Sequence, residues 1–205
     1  YLKREELEQI VSIADKYGAF NFSDEMYHKL TANAKEELPP LSDLYAKGIS
    51  LWGTSKTFGM AGLRTGWLVS KNQEFLQKVI AFKDYLSICS SAPSEILSII
   101  ALRHIEDFRI PNLQNIQNNI ALFEAFAKQH DTIGTFISPR SGSTSFVPLN
   151  IECSSLEFSD DLVKKAGIMT VPAEMFGYKG KYIRVGFGRA GMPKTLEALS
   201  AYLNR

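Results

Sequence analysis

Cysteine is scarce in this 205-residue sequence: Cys89 and Cys153 stand far apart and form no CxxC pair. No disulfide framework is expected from them, and both read as small core residues in a reduced, cytoplasmic protein. Histidine is nearly as sparse. His28, His104 and His130 lack the spacing of a ligand set, so no metal is expected. Neither sign of charge dominates, since 23 Lys and Arg face 22 Asp and Glu, leaving +1. Nucleic acid and anionic membranes therefore find no electrostatic footing and are not expected as partners. No apolar run is long enough to span a bilayer, and no secretory or transit signal is present.

The remainder is the composition of an ordinary globular chain, 45% hydrophobic and 22% charged, with 14 Gly and 8 Pro. It suffices for one large domain or two small ones. Residues 2–17 read as a helix from the outset, with Glu5, Glu6 and Glu8 near its start and Leu7, Ile10, Val11 and Ala14 on one face. A first residue Tyr1 opening straight into a helix raises the expectation of further sequence upstream.

Strands are expected over 19–23, 49–52 and 65–69, with a polar loop and short helix across 31–47. Helices follow over 72–86, 93–107 and, started by Pro111, 112–129. Short strands at 135–137, 145–151 and 182–187 then mix with helices near 158–166 and 193–203. This order predicts an α/β chain in two parts: residues 1–110 with an α/β sheet, and a smaller α+β domain over 111–205.

Three segments carry the chemistry. In Trp52-Gly53-Thr54-Ser55-Lys56-Thr57-Phe58-Gly59-Met60-Ala61-Gly62-Leu63-Arg64-Thr65-Gly66-Trp67, a lysine follows a strand among hydroxyl residues and glycines. Such a loop lets a ligand approach closely and leaves N–H groups facing an anion. Arg64, eight residues after Lys56, adds a permanent cation suited to phosphate. A P-loop shares the lysine and the following hydroxyl, but it needs glycine where Ser55 and Ser50 stand. The second segment, Phe22-Ser23-Asp24-Glu25-Met26-Tyr27, lies 32 residues ahead of the lysine, counted from Asp24 to Lys56. Asp24 by itself would suit a helix cap or a turn. The third, Val171-Pro172-Ala173-Glu174-Met175-Phe176-Gly177 followed by Tyr182-Ile183-Arg184-Val185-Gly186-Phe187-Gly188, puts an arginine on a strand after a loop. Its guanidinium could hold a carboxylate by two parallel bonds, or simply sit on a sheet surface.

These motifs, in this order, closely resemble those of the class I/II aminotransferases, the fold-type I pyridoxal-phosphate enzymes. The resemblance implies that Lys56 forms the Schiff base, that Arg64 and Ser55 bind the phosphate with Gly53 and Thr54 alongside, and that Asp24 pairs with the ring nitrogen. It gives Tyr27 the ring hydroxyl and Arg184 the substrate α-carboxylate. Many family members carry Ser or Thr where Gly53 stands, and glycine where Ala173 stands. Residues 85–98 also look like the segment after the lysine in a subgroup similar to capreomycidine synthase.

The resemblance further implies an end of the large cofactor domain over 1–110 and a small C-terminal domain over 111–205. Amino acids and 2-oxo acids would be the substrates and a homodimer the assembly. Family chains are about twice this length, in line with two packed domains. The family's other half supplies a glycine-rich helix start under the phosphate, a ring stacked on the pyridine and an asparagine at the ring hydroxyl. The expectation is a C-terminal piece of a transaminase that is inactive alone. The alternatives are elimination or cyclising replacement on the same scaffold, or a non-catalytic role as a degenerate cofactor-binding fragment or as a sensor domain that binds the cofactor without turnover.

Overall fold

The computed structural model describes residues 2–204, and the chain divides into two compact units, Tyr1–Leu113 and Gln114–Arg205. The first unit begins with α1 (Arg4–Lys16), whose first turn carries Glu5 and Glu6 at the positive end of the helix dipole. Leu7 and Ala14 face inward as expected, whereas Ile10 is exposed. Gly18, at φ +60°, ends the helix and turns the chain into β1 (Asn21–Asp24). A single-turn helix, α2 (Leu41–Leu44), precedes β2 (Gly48–Gly53), and β3 (Gly66–Ser70) follows the lysine segment. The sheet order is β1-β2-β3, with β1 parallel and β3 antiparallel to β2. Leu30, Leu41, Ile49 and Phe58 bury beneath it, each at most 4% exposed.

Two helices follow, α3 (Gln73–Leu86) and α4 (Ala92–Arg103). They are apolar and poorly covered. None of the residues of α3 is buried; Phe82 and Tyr85 there, and Ile96, Ile99 and Ile100 on α4, lie exposed. Large apolar side chains left exposed along two successive helices are surface that a contact would cover.

The next helix departs from the sequence expectation. It starts at Ile105 and runs to Ala127 as α5, carrying Pro111 within it, while α4 stops at Arg103. Proline lacks an N–H, so its missing bond is the one to Asp107 O, and burial of Ile116, Phe123 and Phe126 further along holds the helix together.

In the second unit, β4 (Thr144–Pro148), β5 (Val171–Pro172) and β6 (Tyr182–Gly186) form an antiparallel sheet in the order β4-β6-β5. The expected strand at 135–137 is not formed; a single bridge between Ile133 and Leu149 stands near it. Helix α6 (Ser155–Ala166) opens on a capping box in which Ser154 Oγ accepts from Glu157 N and Glu157 returns a bond to Ser154 N. Gly167, at φ +66°, closes it, and α7 (Met192–Leu203) completes the unit. Phe123, Val147, Leu162, Ile183 and Phe187 form the core, each 2% exposed or less. The cysteines are not core residues: Cys89 lies exposed between α3 and α4, and Cys153 lies exposed ahead of α6. Their neighbourhoods are connecting segments, which run over protein surfaces to keep their backbone groups solvated.

Candidate active site

Because β1 and β2 run parallel, both strands end on the same side of the sheet, the position at which α/β sheets present ligand contacts. Asp24 is the last residue of β1 and pairs with Leu51; the turn bearing Lys56 begins just after β2 ends. Asp24 Oδ1 accepts the Met26 N–H at 3.1 Å, and the side chain is exposed. Its neighbour Glu25 points the other way. One oxygen of the Glu25 carboxylate accepts from Leu41 N and from Ser50 Oγ, both at 2.8 Å, pinning the Asp24–Tyr27 segment to α2 and β2. In the Asp-Glu-x-Tyr motif the glutamate therefore builds the turn and leaves the aspartate outward.

Lys56 is exposed, and its Nζ lies 5.5 Å from the centroid of the half-buried Tyr27 ring. Two sequence motifs 29 residues apart, from Tyr27 to Lys56, thus meet at one point. Thr57, fully buried, reinforces the junction by donating from Oγ1 to His28 O at 2.6 Å. From α5, Asn112 Nδ2 donates to Lys56 O at 2.8 Å and to Thr57 O at 3.2 Å. The sequence reading missed Thr57, Asn112 and Glu25, whose partners lie from 16 to 55 or more residues away.

The phosphate side of the segment is more differentiated than its sequence. Gly53 sits where β2 meets β3, and a Cβ there would come within 2.8 Å of Thr65 O and 3.1 Å of Gly66 Cα. Close strand approach therefore explains the glycine at this position. Thr54 is fully buried with its hydroxyl turned onto the carbonyls of Met60 and Thr65. Ser55 beside it is half-buried. Arg64 adopts the left-handed conformation at φ 53°, rare for a residue with a Cβ, and donates from Nη1 to Ala61 O. Its side chain is exposed.

His28 packs edge-on against Trp52, with ring centroids 5.2 Å apart. Burial lowers its pKa below the ordinary 6.5; Glu37 and Glu25 pull it upward, and Lys29 adds to the lowering. A group whose folded pKa is depressed takes up a proton on unfolding. The stability it contributes is whole above about pH 6.5 and declines as pH falls through the folded value. The urea midpoint of the protein should fall more steeply from about pH 7.5 to about pH 5.5 than that of His28→Gln, in line with this linkage. Parallel slopes would remove His28 as the titrating group.

Arg184 belongs to the second unit. It lies on the central strand β6, opposite Phe146 of β4 and Val171 of β5, on the exposed face of that sheet. The flanking Ile183 is buried on the other face. The guanidinium carbon stands 5.5 Å from the Phe176 ring centroid. Stacking on a ring face leaves the in-plane N–H edge available to a carboxylate.

The residues present fit the cofactor that the resemblance implies. A carboxylate suited to its ring nitrogen ends β1, a primary amine suited to its aldehyde follows the parallel strand β2 and approaches a phenol, and Arg64, in the same unit, supplies a guanidinium suited to its phosphate. Among the described residues, no group of three His, Cys, Asp or Glu is placed to hold a metal ion, and no helix is long and apolar enough to cross a membrane.

A family model described as aminotransferase class I and II matches residues 1–203. Capreomycidine synthase of Streptomyces vinaceus is 26% identical over 157 residues, 76% of this chain and 40% of its own length. Aromatic-amino-acid aminotransferase 2 of Thermococcus litoralis is 25% identical over 198 residues, 92% of this chain and 49% of its own. The crystal structure of a PLP-dependent aminotransferase from Streptococcus suis superposes with a TM-score of 0.91 at 29% identity, covering 100% of this chain and 54% of that one. The chain thus spans about half the length of the proteins it matches. It belongs to the class I and II aminotransferases, the pyridoxal-phosphate-dependent family whose fold it shares.

Proposed function

We propose that the protein carrying this chain transfers an amino group between an amino acid and a 2-oxo acid. The observation that supports this most is the approach of the Lys56 amine to the ring of Tyr27, three residues after the end of β1 at Asp24. Pyridoxal phosphate supplies an electron-accepting ring that stabilises charge developing at the substrate Cα. Lys56 would hold the cofactor through its ε-amine, a group that reacts with aldehydes. With substrate bound, the Lys56 amine would be the base that moves the proton at the substrate Cα. Asp24 sets a carboxylate against the ring nitrogen and keeps it protonated. Tyr27 donates to the ring hydroxyl, Ser55 and Arg64 hold the phosphate, and Arg184 grips the substrate α-carboxylate. The reading carries with it a homodimer with sites at its interface and a cytoplasmic setting.

The assignment of Arg184 is tested by Arg184→Lys, which keeps the charge and loses the planar fork. A lost charge-assisted hydrogen bond is worth roughly 1.5–3 kcal/mol, so the amino-donor KM should rise about ten- to a hundredfold. Cofactor absorbance should stay intact. Unchanged donor kinetics would return Arg184 to a surface role.

The similarity to capreomycidine synthase supports a second reading, a cyclising or eliminating reaction on the same residues. Product analysis separates them. Transamination would deliver the amino group to a second 2-oxo acid, elimination would release it as ammonia alongside a 2-oxo acid, and ring closure would keep it in the product.

A further inference from the structure

Helix α5 holds four asparagines between Asn112 and Asn119, although asparagine is a poor residue for a helix interior. Three of them, Asn112, Asn115 and Asn119, recur at i, i+3 and i+7 and so share one helix face. Each turns its carboxamide N–H onto backbone carbonyls outside the helix. Asn112 donates to Lys56 O and Thr57 O. Asn115 donates to Gly188 O at 3.1 Å, and the buried Asn119 donates to Phe187 O at 2.8 Å and Arg189 O at 2.7 Å. Asn118 is different, accepting from Gln114 along the helix itself.

We propose that this asparagine row is a positioning device for two chemical groups: Asn112 for Lys56, and Asn115 with Asn119 for the strand that bears Arg184. The proposal rests on the roles given to Lys56 and Arg184 above.

Lys56 lies in a turn outside the strand ladders, so few bonds fix its backbone. Its carbonyl accepts from Gly59 N at 3.1 Å and from Asn112, which together fill both lone pairs. Without Asn112 the Lys56 carbonyl keeps only the Gly59 bond and the Thr57 carbonyl loses its side-chain donor, so the peptide between them is held less firmly. The Lys56 Cα then moves, and with it a long side chain whose amine must meet a carbon within a fraction of an ångström. Arg184 stands two residues before the end of β6, and Asn115 and Asn119 hold the carbonyls of the three residues from Phe187 to Arg189 beyond that end. A strand released there twists more freely, and a bidentate guanidinium tolerates little rotation.

The test uses the full-length protein loaded with pyridoxal phosphate. Two readouts are taken: the pH midpoint of the cofactor's visible band, and the amino-donor KM. Asn112→Ala and Asn112→Asp should move the band midpoint and slow colour development on adding cofactor about tenfold or more, with KM within about twofold. Asn115→Ala and Asn119→Asp should raise KM about tenfold and leave the midpoint unmoved. Thermal melting is recorded for all four. If Asn119→Asp does not fold, Asn115→Ala, with its half-buried donor, decides. Variants that shift both readouts in step with their melting temperature, or that shift neither, overturn the proposal. Lys56→Ala separates the two failures. If it keeps the visible band, the proposed function fails; if it loses the band while Asn112 variants keep the normal midpoint, only the positioning role fails.

Discussion

Replacing Lys56 with alanine should lower turnover by at least about a thousandfold, within the range that a positioned general acid–base supplies. The loss is larger than for other single substitutions because Lys56 performs two tasks in the proposed reaction: it holds the cofactor and it moves the Cα proton. Lys56→Arg sharpens the point. Arginine keeps a positive charge near Tyr27, but its guanidinium does not deprotonate in proteins and cannot condense with an aldehyde. If the 5.5 Å approach of Nζ to the Tyr27 ring were merely a cation–π contact holding the turn, the arginine variant would preserve function. On the present account it is as inactive as alanine, while both variants keep the wild-type melting temperature within a few degrees, since an exposed lysine contributes little to packing. Steady-state rates together with melting curves make the comparison.

The second large effect concerns the 205 residues on their own. Expressed as this chain and given pyridoxal phosphate, they should show no measurable half-reaction with a panel of amino acids. The chain spans about half the length of its relatives, and the groups given to the cofactor in the proposed reading, Lys56, Asp24, Tyr27 and Arg64, address its edges and its phosphate. A ring held at its edges but free to tilt does not keep its electron-accepting orbitals aligned with the bond being broken. The physical state should betray the same deficit. A three-stranded sheet with β1 and β3 at its edges, beside the exposed Phe82, Tyr85, Ile96 and Ile100, invites association. Size exclusion should show oligomers or aggregate. Turnover comparable to an intact aminotransferase would mean that these residues form a complete site.

How far this was legible in the sequence depended on the range of the interactions. The α/β class and the family followed from short contiguous motifs, because a strand followed by a glycine-rich lysine turn writes its chemistry into adjacent residues. The inward positions Leu7 and Ala14 of α1 were likewise legible from local periodicity. Helix α5 was not. Pro111 suggested a helix start, but tertiary burial of Ile116, Phe123 and Phe126 carries the helix straight past it. The strand expected at 135–137 does not form either: the isolated bridge nearby joins Ile133 to Leu149, and the Phe136 ring packs instead against Phe123 and Phe187. The cysteines were placed inside from their general preference, and local chain geometry puts both outside. Within the site, the motifs offered Asp24, Tyr27 and Lys56. The residues that fix their backbones, Glu25, Thr57 and Asn112, act on partners 16, 29 and 56 positions away and leave no local trace.

In the proposed reaction the Lys56 amine is the group that binds the cofactor. The direct measurement is to load the full-length protein with pyridoxal phosphate, reduce it with borohydride, digest it and locate the pyridoxyl label by mass spectrometry. The prediction is one label per chain, on the peptide containing Ser55, Lys56 and Thr57, and none in Lys56→Ala. A label on another lysine, or equal labelling of the alanine variant, contradicts it.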